Sequence, residues 1–257
     1  MENFLNIALV QTSLIWEDPA ANRNRFSEIL KDVVPGTDLI VLPEMFHSGF
    51  TMHPERLAKE EGPETLKWMR QKAEETGAAL VGSIPFFENG DYTNRLFFVT
   101  PEGATHHYDK RHTFTLAGED KVYRAGDSRL TVDFKGFKIR PMICYDLRFP
   151  VWARNTDDYD ILIYVANWPK PRITAWDILL KARAIENMAY CIGVNRIGSD
   201  EVGHEYPGHS AVYDVLGERI AFSSEEKILY AKLSKEHIAS NRKKLRFLED
   251  RDVFKIV

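Results

Sequence analysis

The sequence predicts an α/β layered fold, on three observations. Short β-like runs alternate with helical stretches from the N-terminus, the middle carries two hairpin signals, and no Pro/Gly/Ser-rich linker or repeat divides the chain. The last point argues for a single domain over residues 1–257.

The elements follow in order. NIALVQ at 6–11, DLIVLPE at 38–44, AALVGSI at 78–84 and RLFFVT at 95–100 read as buried strands. Between the first of them, residues 20–34 place Phe26, Ile29, Leu30 and Val33 on one helical face. Pro63 opens a second helix with Leu66, Met69 and Ala73 at helical spacing, so the chain begins as βαβ. Turn residues Pro101 to Ala104 and Lys135-Gly136 then predict two hairpins, which bring antiparallel pairs into the sheet.

DILIYVA at 160–166 is a nearly continuous apolar strand, and TAWDILLKARAIENMAY at 174–190 is the strongest helix. Thr174 with Asp177 reads as its capping box, and Ile178, Ala182, Ile185 and Ala189 as its apolar face. CIGVNRIG, a hairpin around Leu216-Gly217, a strand over 226–233 and a helix over 235–248 complete the chain.

Composition removes several classes of function. A formal charge of −4 leaves no electrostatic footprint for nucleic acid, and RKKLR at 242–246 reads as a solvated helix face. The N-terminus MENFLNIALV lacks a basic segment followed by a long apolar one, and no apolar run approaches the ~18 residues of a membrane span. A cytoplasmic protein with no membrane partner is expected. Two cysteines exclude a disulfide scaffold. No HExxH occurs, and His106 and His107 in a strand would point to opposite faces, so no metal site is expected.

Three stretches carry chemistry. In RPMICYDLRFP, Cys144 sits where a strand gives way to a short helix from Arg148 through Ala153, a turn whose helix amides and dipole favour a thiolate. Cys191, at the start of an apolar strand, reads as core. A nucleophilic thiol needs a base, and in VLPEMF Glu44 emerges from a buried strand where ligands bind in open α/β sheets. Partial desolvation there would raise its pKa and suit it to taking and returning a proton. In HYDKRH, Lys110 ends a probable strand, and a fixed ammonium would stabilise the oxyanion of acyl transfer. A rival pairing of Cys144 with His112 or His209 would make a protease-like Cys-His site.

LPEMFHSGF, HYDKRH and ICYDLRFP, in that order, resemble the three signature segments of the nitrilase superfamily of carbon-nitrogen hydrolases. The likeness extends through RARAIENMAY, GVNRIGSD and GHSAVYDVLGE. It implies a four-layer α-β-β-α sandwich of the nitrilase type, assembled face to face as a homodimer or larger homo-oligomer, with no cofactor. It also implies a triad of Cys144 as nucleophile, Glu44 as general base then acid, and Lys110 with the Tyr145 backbone amide as oxyanion holders. The family's second glutamate, which supports the lysine, matches Glu119 in LAGEDKVYRAGD.

Within the superfamily, CYDLRFPVWARN, YVANWPKPR and LLKARAIEN are most similar to the omega-amidases of the bacterial YafV-like branch. The implied reaction hydrolyses the terminal amide of 2-oxoglutaramate or 2-oxosuccinamate through a cysteine thioester. Deaminated glutathione amidase, N-carbamoyl amide hydrolase and true nitrilase stand as alternatives. Arg148 is placed either to grip the substrate carboxylate or to pair with Asp146. Trp168 is expected to line the pocket and limit the acyl chain, with Asn167 and Phe114 as further lining residues. The apolar end of RDVFKIV, with Val253, Phe254, Ile256 and Val257, suggests burial against a partner subunit.

Overall fold

The computed structural model describes residues 3–256. The chain opens as β1 (Phe4–Gln11), α1 (Pro19–Lys31), β2 (Leu39–Val41), α2 (Glu61–Thr76), β3 (Ala79–Glu88), β4 (Asp91–Val99) and β5 (Thr105–Asp109). It continues through β6 (Val132–Phe134), β7 (Phe137–Ile143), α3 (Pro150–Ala153), β8 (Ile161–Ala166), α4 (Ile173–Asn187) and β9 (Tyr190–Asn195). The last elements are β10 (Ile197–Ser199), β11 (Glu205–Pro207), β12 (Ser210–Tyr213), β13 (Arg219–Ser223), β14 (Lys227–Ser234) and α5 (Lys235–Leu245).

Two six-stranded sheets result, ordered β14-β1-β2-β3-β4-β5 and β13-β12-β9-β8-β7-β6. Each is built on three parallel strands, β1, β2 and β3 in one and β7, β8 and β9 in the other, with antiparallel strands toward the edges. The period of two along each strand decides the layering. In the first sheet Leu5, Ile7, Leu9, Leu39, Val41, Val81, Leu96 and Phe98 face the second sheet. Their alternates Ala8, Val10, Ile40, Leu80, Phe97 and Val99 pack beneath Phe26 and Leu30 of α1 and Met69 and Ala73 of α2. Trp176, Leu180 and Ala184 of α4 cover the outer face of the second sheet. The α-β-β-α order of layers is therefore as expected.

Local chemistry explains the helix boundaries. Asp18 caps α1 by accepting from the Ala21 N–H at 2.9 Å, and Pro19 supplies the preset φ of its first turn. α2 begins two residues before Pro63 and stops at Gly77 in the left-handed conformation. All three expected hairpins form, β4–β5, β6–β7 and β12–β13, and an unanticipated one, β3 with β4, turns at Asn89-Gly90.

Two expectations about α4 fail. It starts at Ile173 with Arg172 at the cap position and no side-chain cap, so the Thr174–Asp177 capping box does not form. A 3₁₀ turn over Lys170–Arg172 leads into the helix instead, and the Asp177 carboxylate turns to His209 at 3.0 Å. The buried face is Trp176, Leu180, Arg183, Ala184 and Asn187, whereas Ile178 and Ile185 are 61% and 45% exposed. Both rows satisfy helical spacing, and the one carrying Trp176 and Leu180 removes more apolar surface from water. The basic patch differs too, because Arg242 donates to the carbonyls of Met188 and Tyr159 while Lys243 and Lys244 stay exposed. At the C-terminus Val253 and Phe254 are exposed and Ile256 packs on the core, while Val257 lies outside the described residues.

Gly193 on β9 makes the fit with α4 possible. A Cβ there would sit 2.4 Å from Leu180 Cδ1 and 2.6 Å from Trp176 Cζ2. Gly193→Ala is expected to lower stability by about 1–3 kcal/mol, read as a shifted midpoint in denaturant unfolding with an unchanged slope.

Candidate active site

The topology brings the candidate residues to one edge. Glu44 lies just past β2, Cys144 directly follows β7, and Asn167 directly follows β8, all at C-terminal ends of parallel strands. β5 is antiparallel to β4, which is antiparallel to β3, so β5 also ends on this side and delivers Lys110.

Each position is held by specific local bonds. After Glu44 the chain turns through Met45, whose φ is +43°, and Ser83 secures the turn by accepting from Met45 N–H at 3.0 Å and Phe46 N–H at 3.1 Å. Lys110 is fixed at both ends of its peptide unit, donating to Asn94 O at 3.0 Å and accepting from Gly126 N–H at 2.9 Å. Only glycine fits at 126, because a Cβ would lie 2.2 Å from Asp109 O. Cys144 has a φ of +42° and opens a 3₁₀ turn running to Arg148. The chain therefore turns at the cysteine, as the sequence suggests, and the expected short helix follows as α3.

Glu44, Lys110 and Glu119 form one buried cluster, each at most 1% exposed. Lys110 Nζ donates to Glu44 Oε1 at 2.9 Å and to both Glu119 oxygens at 3.0 and 2.9 Å. Glu44 Oε2 accepts from the Asn167 N–H at 2.8 Å, and Glu119 Oε2 accepts from the Phe114 N–H at 2.5 Å. Burial by itself would push the Lys110 ammonium down, but Glu119 and Glu44 outweigh it and hold it above the ordinary lysine range. Burial pushes the Glu119 carboxyl up; Lys110 pulls it back, and Glu44 restores the rise.

The thiol departs from expectation. Burial, followed by the Glu44 charge, pushes Cys144 well above the ordinary thiol range, with Lys110 opposing. The five-residue 3₁₀ turn does not offset this, so the resting group is a neutral thiol rather than the thiolate the strand-to-helix turn suggested. Cys191 is fully buried core, as read from the sequence.

Asp146 resolves the question of Arg148. Its carboxylate, 0% exposed, accepts from the His112 N–H and Nδ1, from the Tyr108 hydroxyl at 2.8 Å and from the Ile143 N–H at 3.1 Å. Arg148 forms no pair with it; its guanidinium lies 5.0 Å over the Trp168 ring and lines the cavity. The same carboxylate fixes His112, which stacks on Phe149 at 3.7 Å, while His209 pairs with Asp177. Neither imidazole lines the cavity beside Cys144, which leaves the Cys-His pairing without geometry.

That cavity, about 230 Å³, is lined by Lys110, Cys144, Tyr145, Arg148, Asn167, Trp168 and Phe114, all anticipated, and also by Phe50, Met52, Arg172, His204 and Tyr206, which were not. Trp168 is fixed by its ring N–H on Arg172 O at 2.7 Å. Asn94 was missed as well. Its side-chain amide donates to Glu44 Oε1 at 2.9 Å and Glu119 Oε1 at 3.1 Å, holding two like charges at a set separation. Starting the strand at Arg95 rather than Asp91 left this asparagine outside it; a polar residue buried within a strand was the available signal.

This geometry can deprotonate a thiol at a carboxylate and place an ammonium beside the atom it attacks. The chain matches the carbon-nitrogen hydrolase family over residues 6–243. It is 43% identical to omega-amidase YafV of Escherichia coli K12 over 98% of each chain. It is 31% identical to 2-oxoglutaramate amidase of Bacillus subtilis over 95% of this chain and 96% of that one. Among solved structures it is similar to XC1258 from Xanthomonas campestris, a CN-hydrolase superfamily protein with an arsenic adduct in the active site, at TM-score 0.95, 40% identity and 99% coverage of both chains.

Two outcomes are expected of this site. Thiolate absorbance from Cys144 should appear only above the usual thiol range, and Glu44→Gln should bring it to lower pH, because the removed negative charge favours the protonated thiol while Lys110 remains; Cys144→Ala serves as the blank. Asp146→Ala strips four donors of their acceptor and should lower stability by about 2–4 kcal/mol in denaturant unfolding.

Proposed function

The chain belongs to the carbon-nitrogen hydrolase family, and on that premise we propose that it is an omega-amidase whose reaction is carried by Glu44, Lys110 and Cys144, with Glu119 in support. The observation that carries the assignment of roles is the buried Glu44 carboxylate, which accepts from Lys110 Nζ and whose charge acts on the Cys144 thiol. The substrate is the terminal amide of a 2-oxo acid, 2-oxoglutaramate or 2-oxosuccinamate.

Glu44 takes the Cys144 proton as Sγ attacks the amide carbonyl carbon, so no thiolate accumulates beforehand. The carbonyl oxygen becomes an oxyanion, held by Lys110 Nζ and the Tyr145 N–H. Lys110 can supply a proton donor without losing Glu119, because that contact is bidentate and one of its two bonds is dispensable. The proton on Glu44 then passes to the amide nitrogen, the C–N bond breaks and ammonia leaves a thioester. Water, deprotonated by Glu44, attacks the thioester; the C–S bond breaks, the thiol regains its proton and the dicarboxylate is released. Glu119 keeps the ammonium charged, and Asn94 keeps both carboxylates in place.

We further propose a cytoplasmic homodimer. Two free cysteines suit a reducing compartment. Ile178 and Ile185 on the outside of α4 leave an apolar surface, Gly217 comes close to Ile185, and its chain neighbour Leu216 is 43% exposed. Ile178→Asp is expected to convert the dimer to monomer in analytical ultracentrifugation, and an unchanged mass would count against this face.

Ammonia release should be fastest, in kcat/KM, from 2-oxoglutaramate in a panel with deaminated glutathione, an N-carbamoyl amino acid and a matched nitrile. Preference for any other member would displace the substrate reading. Glu44→Gln, Lys110→Ala and Cys144→Ala should each lower kcat by about a thousandfold or more. Near-native turnover by Glu44→Gln would overturn the mechanism.

A further inference from the structure

Arg172 ends the 3₁₀ turn that leads into α4 and lines the same cavity as Cys144. Its guanidinium lies 5.2 Å over the Phe114 ring, as that of Arg148 lies 5.0 Å over Trp168. The two are linked through the main chain, since the Trp168 ring N–H is bonded to Arg172 O at 2.7 Å. Both side chains are half-buried, yet among the described residues neither guanidinium has a carboxylate or carbonyl partner. Several other half-buried or buried arginines are paired with carboxylates: Arg23 with Glu61, Arg95 with Asp109 and Glu88, Arg140 with Asp157. The carboxylate at the cavity rim, Asp200, is already taken by the N–H groups of Val202 and His204 and the Tyr206 hydroxyl.

Two cations at one cavity without a counter-anion repel each other, and an anionic ligand removes that repulsion. An aromatic ring beneath each guanidinium fixes its plane while leaving the N–H edge free for a planar, bidentate acceptor. Resting on the omega-amidase reading, we infer that Arg172 is a second specificity-determining residue, which with Arg148 divides the carboxylate and the 2-oxo oxygen of the substrate. The ligand class is a short acid whose terminal amide reaches Cys144 while its opposite end carries a carboxylate beside a carbonyl. A neutral amide leaves both guanidiniums unsatisfied and is disfavoured on that account.

The test compares kcat/KM for 2-oxoglutaramate and for pentanamide, an uncharged amide of equal chain length, in the wild-type protein, Arg172→Ala and Arg172→Lys. The readout is the ratio of acid to neutral amide, which a purely structural role would leave alone because both substrates would suffer equally. Arg172→Ala is expected to lower the ratio roughly ten- to hundredfold, the value of one charged hydrogen-bonding partner, chiefly through KM for the acid. Arg172→Lys should recover part of it, since an ammonium restores charge without the fork. A ratio unchanged in Arg172→Ala, while the wild-type protein favours the acid, overturns this inference and leaves the omega-amidase reading standing. A wild-type protein that does not favour the acid overturns both.

Discussion

A buried ammonium is the constraint to which the site answers. Lys110 is 1% exposed, and a cation removed from water is tolerated only when opposite charge and hydrogen bonds replace its hydration. Glu44 and Glu119 supply the charge, but two carboxylates sharing one cation repel each other. The surplus negative charge is spread over neutral donors, with Asn94 bridging both groups, Asn167 N–H on Glu44 and Phe114 N–H on Glu119. Removing one member would leave an uncompensated charge in the interior. The same surplus of negative charge disfavours the Cys144 thiolate.

These bonds also join the two halves of the sandwich. Glu44 belongs to the first sheet and Asn167 to the second, and the Asn167 side chain returns a bond to Glu44 O at 2.7 Å. Asp146 makes the second connection, holding Tyr108 and His112 of the first half and Ile143 at the end of β7. A carboxylate that accepts from both sides of an interface fixes the separation between Lys110 and Cys144, which acyl chemistry needs held to a fraction of an ångström. Arg183 extends the support outward by donating to Leu147 O at 2.6 Å from α4.

The positive φ values at Met45 and Cys144 fit the same picture. Non-glycine residues rarely adopt this region, and those that do are over-determined by their surroundings. At Met45 the restraint is Ser83, and at Cys144 it is the Asp146 carboxylate reaching back to Ile143 N–H. Both turns aim a side chain into the space between the sheets' ends.

The sequence by itself determined most strands and helices, because period-two apolar runs are local signals, while its resemblance to the nitrilase superfamily implied the layer order and singled out Glu44, Lys110, Cys144 and Glu119, which the fold brings to one edge. It also marked Trp168, Phe114, Tyr145 and Asn167 as cavity residues. Only the tertiary structure decided which of two apolar rows of α4 turns inward, whether Arg148 meets Asp146, and that Asn94 and Arg172 belong to the site. Each depends on groups dozens of residues apart meeting at one edge, where burial area and competing hydrogen-bond partners choose among conformations that local spacing leaves equal. The protonation of Cys144 is decided there too, since a pKa reflects every charge packed around the thiol and not the turn that carries it.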